Sequence, residues 1–171
     1  MSPDLTTVLV LADTHLRSER ARWLPPAVVD QLGRVDAVLH AGDVLDPGIL
    51  ERLRREARPA PVHAVLGNND TSLTRLLPRT KVVVLAGVRI GMVHDSGRAS
   101  GRADRLQRLF PDCQVVVFGH SHAPFADHGP SGQLLFNPGS PTQRRLQPEP
   151  TFGVLELADG AVAGFRVVPI R

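Results

Sequence analysis

With 171 residues, 42% of them hydrophobic, the chain has the length and composition of one ordinary globular domain. Its net charge is +3, its arginines are dispersed among acids and only 4% of it is aromatic, which argues against a nucleic-acid surface built from a dense basic stripe with stacking platforms. A lone cysteine, Cys113, excludes an internal disulfide and a thiolate-rich metal site; no apolar run approaches the ~20 residues of a membrane span, and Met1–Thr7 lacks the charged-then-apolar build of a secretion signal, so a cytoplasmic protein without membrane contact is expected.

Thr7–Ala12 (TVLVLA) is a continuous apolar run, the pattern of a strand buried on both faces. Pro25-Pro26 opens a helix that runs through Leu32 and stops at Gly33. Ala37–His40 reads as a second strand. Asp46-Pro47 is an N-cap followed by proline at the first helical position, starting a helix to about Ala57. Pro61–Leu66 reads as a third strand. Lys81–Leu85 and Val88–His94 flank the hairpin dipeptide Ala86-Gly87. A helix is expected over Ala103–Phe110, and strands over Val115–Phe118, Gln133–Phe136, Phe152–Leu157 and Ala161–Val168, the last two joined by Asp159-Gly160. The first half is thus βαβαβ with parallel strands and the second half is richer in antiparallel pairs. The expected class is α/β, with two packed mixed β-sheets flanked by helices.

Metal-ligand residue types fall directly after these β-runs. Asp13 and His15 follow the first, Asp43 the second, Asn68, Asn69 and Asp70 the third. His94 ends the VRIGMV run, and His120 and His122 follow VVVF. Ligands in open α/β sheets bind outside the carboxyl ends of strands, so these ends can converge on one rim. Asp13/His15 and His120/His122 are each two apart, a spacing that points both side chains to one side in extended backbone. Carboxylates, imidazoles and an amide oxygen together suit Mn, Fe, Zn or Ni, with manganese the first expectation. Gly42, Gly67 and Gly119 precede ligand-type residues where the backbone is expected to turn sharply.

D-x-H, G-D, G-N-x-D, H and G-H-x-H, in this order from Asp13 to His122, resemble the signature of the calcineurin-like metallophosphoesterases. The chain length and the Asn137-Pro138-Gly139-Ser140 segment are similar to the small single-domain prokaryotic phosphodiesterase branch, so residues 1–171 are expected to form one such domain. The resemblance implies two divalent ions, the first held by Asp13, His15 and His122, the second by Asn68, His94 and His120, with Asp43 bridging both. It implies hydrolysis of a small phosphate ester, a phosphodiester first, by a hydroxide shared between the ions. Asp70 falls outside that ligand set and is assigned the orientation of a metal-bound histidine. Relatives also suggest self-association. The alternatives are a phosphomonoesterase or nucleotide phosphatase with the same metal core, and a non-catalytic scaffold such as the retromer subunit of this fold.

Two positions depart from many relatives. Asn69 stands where a histidine protonates the leaving group; an amide cannot do so, but it can bind substrate by donating a hydrogen bond to a phosphoryl oxygen. His94 is followed by Asp95-Ser96 rather than Gly-His. Other polar residues take ordinary readings. His40, His63 and His128 are expected to be structural, Arg144 and Arg145 exposed, and Trp23 packed. Asn137–Ser140 is equally compatible with a plain turn and with a phosphate-facing loop.

Overall fold

The computed structural model describes residues 5–17 and 23–171; residues 1–4, most of the Met1–Thr7 segment, lie outside them. Strands β1 (Thr6–Leu11), β2 (Ala37–His40) and β3 (Val62–Ala64) run parallel, separated by helices α1 (Pro26–Leu32) and α2 (Pro47–Glu56). Strand β4 (Thr80–Leu85) returns antiparallel to β5 (Val88–Val93), and helix α3 (Arg102–Leu109) leads into β6 (Val115–Val117). Strands β7 (Phe125–His128), β8 (Leu134–Asn137), β9 (Thr151–Ala158) and β10 (Ala161–Pro169) complete the chain. One five-stranded sheet has the order β10-β9-β1-β2-β3, the other β4-β5-β6-β8-β7. Both are mixed, as expected.

The apolar runs are explained by what covers each face. In β1, Val8 and Val10 point into the layer between the sheets, where they meet Val115, Val117, Leu134 and Phe136. Leu9 and Leu11 alternate to the other face and pack with Val28 and Leu32 of α1 and Ile49, Leu50 and Leu53 of α2. Across the second sheet, Val116 and Leu135 pack with Leu106, Phe110 and Phe118 beneath α3. Each buried aliphatic side chain contributes roughly 1.5–3 kcal/mol, so the central strands are anchored from both sides.

Local signals hold where they have a mechanism. The Asp46 carboxylate accepts from Gly48 N at 2.8 Å and Ile49 N at 3.4 Å, capping α2, and Arg54 and Arg55 sit at its negative end. Both hairpins turn on two consecutive positive φ values, Ala86/Gly87 at 46° and 80° and Asp159/Gly160 at 51° and 75°. Two elements differ from expectation. Strand β3 is shorter than Pro61–Leu66, because Leu66 leaves β2 and donates to the Pro78 carbonyl at 2.8 Å. Strand β7 was not anticipated; its sequence, Phe-Ala-Asp-His, is mostly exposed and carries no buried face to read.

Candidate metal centre

The carboxyl ends of β1, β2, β3, β5 and β6 open on one rim, and the seven expected ligand side chains meet there. The loops are tied by backbone bonds: Asp13 N donates to Gly42 O, His15 N to Asp43 O and Gly119 N to His94 O, each at 2.9 Å. Asp13, His15, Asp43, His120 and His122 all adopt left-handed backbone, with φ of 54°, 45°, 60°, 69° and 57°. Such residues cost about 1–3 kcal/mol each and persist only where the surroundings over-determine them. The one-sided placement of the D-x-H and H-x-H pairs therefore comes from tight left-handed turns, not from extended strand as expected. The glycines also divide. Gly42 turns at φ 93°, as expected. At Gly67 the reason is close approach: a Cβ there would lie 2.2 Å from Asp43 N and Oδ1.

Two constellations share the centre. His15 Nε2 lies 3.2 Å from His122 Nε2, 3.9 Å from Asp13 Oδ1 and 3.4 Å from Asp43 Oδ2; His122 Nε2 is 3.4 Å from Asp13 Oδ1. On the other side, His94 Nε2 lies 2.9 Å from Asn68 Oδ1 and 3.5 Å from Asp43 Oδ2, and His120 Nδ1 is 3.0 Å from Asn68 Oδ1. One oxygen of Asp43 thus faces a histidine of each set. Asp13, grouped above with the first set alone, also comes within 3.9 Å of His94 Nε2.

Tautomers follow from the outer ring nitrogens. His94 Nδ1 faces the Ala41 carbonyl at 2.7 Å, and His122 Nδ1 faces the Gln143 carbonyl at 2.6 Å. A carbonyl only accepts, so each Nδ1 carries a proton and each Nε2 is the nitrogen turned inward, offering a lone pair when the ring is neutral. There the lone pairs meet oxygen acceptors. Both oxygens of Asp13, which is fully buried, have no hydrogen-bond donor among the described residues; the His120 backbone N–H points their way without reaching hydrogen-bond geometry.

The electrostatics have the same origin. Burial pushes the Asp13 carboxyl up to about 7, against the opposing pull of His94. Burial also favours protonated Asp43, but His94 and the two Asn69 donors outweigh it and hold this carboxyl below the usual range. Burial pushes His15 and His122 down. At His94, burial acts downward and is overcome by Asp43, the Ala41 carbonyl and Asp13, so its net shift is upward. Inward nitrogens and carboxylate oxygens about 3–4 Å apart, those of Asp13 lacking donors among the described residues, suit a cation with ligand distances near 2.0–2.2 Å. Asp13/His15/His122 and Asp13/Asp43/His94 each bring their ligand atoms within 4.8 Å of one another.

Residues 7–160 match the calcineurin-like phosphoesterase superfamily domain. The chain belongs to that superfamily. It is 37% identical over 166 residues to a probable metallophosphoesterase of Methanocaldococcus jannaschii, covering 95% of this chain and 80% of the relative. The solution structure of a Thermotoga maritima protein aligns at TM-score 0.73 with 31% identity, over 96% of this chain and 99% of that one. The Entamoeba histolytica Vps29 complexed with zinc aligns at TM-score 0.74 with 23% identity, over 96% and 98%, a likeness of fold.

In this calcineurin-like domain, the remaining predicted residues take distinct places. Asn69 donates through its backbone to Asp43 Oδ1 at 2.9 Å and through its amide to Asp43 Oδ2 at 2.7 Å. Asp70 accepts from Asp43 N, Leu45 N and Gly67 N at 2.9, 2.7 and 2.7 Å. It pins two ligand loops together, and the histidine-orienting bond assigned to it is absent among the described residues. The backbone carbonyls of Ala41 and Gln143 take that part instead, and no side-chain pattern signals a carbonyl. Asn137–Ser140 faces inward as a brace. Asn137 Nδ2 donates to Gly119 O at 3.1 Å, and Ser140 Oγ donates to Asp13 O at 2.8 Å. His40 is buried against Thr14 Oγ1 at 3.0 Å; Arg144 and Arg145 are exposed, and the charge of Arg145 is felt at Asp13, His15 and His122. Trp23 donates to Glu56 Oε2 at 2.8 Å under the Arg52 guanidinium. Beside the centre opens a polar cleft of about 300 Å³, lined by His15, Arg17, Leu45, Asn69 and Thr71.

Proposed function

We propose that this chain is a binuclear metal-dependent phosphodiesterase, with Asp13, His15 and His122 holding one divalent ion, Asn68, His94 and His120 a second, and Asp43 shared by both. The observation that carries the reading is the convergence of histidine Nε2 atoms, oriented by backbone carbonyls, on the buried Asp13 carboxylate that no donor among the described residues satisfies. When bound, two such ions lower the pKa of a shared water from 15.7 toward ~7 and polarise phosphoryl oxygens.

The chain's own groups do the rest. Asp43 presents Oδ2 to both sets, and Asn68 adds an oxygen without adding charge. The Asn69 amide, which lines the cleft, would donate to a phosphoryl oxygen when a cation takes over Asp43. Position 69 supplies no acid, so diesters with good leaving groups are the favoured substrates. Manganese is the favoured ion, with iron, zinc or nickel as alternatives. A cytoplasmic location accords with the buried free thiol of Cys113; no described helix is long and apolar enough to cross a membrane.

The test is to purify the protein without chelator, measure bound metal, and compare an aryl phosphodiester with its monoester under added Mn. Faster diester turnover supports the reading, whereas a monoester preference replaces it with a phosphatase of the same core. A second reading, a protein-interaction scaffold, has the support of the fold likeness to Vps29. A folded protein that takes up no metal would favour it.

A further inference from the structure

The cleft beside the metal centre has an asymmetry the proposed hydrolysis does not use. Among the described residues that line it, Arg17 alone carries a formal charge outside the ligand set, and none is an acid. Other lining residues are tied by hydrogen bonds. Leu45 is held in left-handed backbone at φ 82°, its N–H bound to Asp70 Oδ1 at 2.7 Å and its carbonyl to Ser72 Oγ at 2.6 Å. Asn69 is fixed through its backbone N–H to Asp43. Arg17, by contrast, makes no hydrogen bond or ion pair among the described residues. Two residues earlier, His15 reaches Asp43 Oδ2 at 3.4 Å, and His15 and Arg17 line the same cleft. No Phe, Tyr or Trp lines the cleft; the chain has no tyrosine, and its one tryptophan is engaged by Glu56 and Arg52. A nucleobase would find no aromatic platform there, while an anion would find a guanidinium with several donors and no partner among the described residues.

We propose that Arg17 is a specificity-determining residue, and that the substrate is a small phosphate ester carrying a second anionic group, carboxylate or phosphate, beyond the scissile phosphate. This rests on the phosphodiesterase reading above. A guanidinium–anion contact at the edge of a cleft discriminates about tenfold or more between ligands with and without the second charge.

The experiment uses the Mn-loaded protein and three p-nitrophenyl diesters whose second alcohol is ethyl, carboxyethyl or phosphoethyl. We expect kcat/KM for one or both anionic esters to exceed that for the ethyl ester about tenfold or more, and the better arm identifies the group. In Arg17→Gln that ratio collapses toward one, and Arg17→Lys restores part of it. Calorimetry of 3-phosphonopropionate against ethylphosphonate reads the same preference without turnover. Hydrolysis of all three esters at similar kcat/KM, or a preference that survives Arg17→Gln, overturns the inference and leaves the hydrolase reading standing. Absence of hydrolysis of any ester overturns both.

Discussion

Ser140 Oγ donates to the backbone carbonyl of Asp13 at 2.8 Å, joining residues 127 positions apart. The same hydroxyl accepts from Gln143 N at 2.9 Å, and the Gln143 carbonyl in turn faces His122 Nδ1. A single buried serine therefore couples the turn that presents Asp13 to the carbonyl that aims His122. Ser140→Ala leaves buried polar groups without partners, and should lower unfolding free energy by about 1–3 kcal/mol. Urea denaturation would measure this, and metal affinity should fall in parallel. An unchanged midpoint would remove Ser140 from the brace.

Gly67→Ala tests the close approach at Asp43. The added Cβ meets Asp43 backbone and carboxylate at 2.2 Å, so backbone has to move. We expect a loss of about 1–3 kcal/mol together with loss of bound metal. Gly33→Ala, with nothing within 4 Å of its Cβ, should change stability by less than about 0.5 kcal/mol and leave metal content intact.

Asp43→Asn removes the carboxylate whose Oδ2 lies closest to both histidine sets, 3.4 Å from His15 Nε2 and 3.5 Å from His94 Nε2. Turnover of an aryl phosphodiester should fall about a thousandfold or more while circular dichroism stays native. Retained activity would take Asp43 out of its shared role.

Asn69→His places a titratable ring at the cleft mouth. A general acid contributes about 10²–10⁴-fold, and it matters most for alkoxide leaving groups. Rates on poor leaving groups should therefore rise relative to good ones. Equal movement of both series would show that position 69 does not govern leaving-group protonation.

His40 sets the acid limb of stability. It is 1% exposed, and burial pushes its pKa down to about 3 from an unfolded value of 6.5. Between those values the unfolded chain binds a proton that the folded chain refuses. Its contribution is fully present above pH 6.5 and is lost progressively as pH falls toward 3, by up to ~1.4 kcal/mol per unit. Urea midpoints at pH 7.5, 6 and 5 should show a shallower decline in His40→Gln than in the parent chain.

Much of this architecture was legible because its causes are local. The run TVLVLA needs cover on both faces, and Leu9/Leu11 and Val8/Val10 receive it from helices and from the opposing sheet. Asp46-Pro47 caps α2 by a mechanism written in two residues. The seven ligand types were visible because each follows a buried run. What was not legible is carried by backbone or by distance. The carbonyls of Ala41 and Gln143 have no side-chain signature, the left-handed turns at Asp13 and His122 lack the glycine that would mark them, and Asp70 reaches three N–H groups from two loops. Strand β7 is polar because its edge faces solvent, so no alternation marks it.

The order in which the chain is made bears on when the centre can exist. All seven donors have been synthesised by His122, yet the brace at Ser140 and the strand β9 that flanks β1 still lie ahead of the ribosome. A nascent polypeptide halted between these points would carry every ligand and lack the closure that aims them. The arrangement that aims these side chains is thus completed only when the last segments of the chain have been added.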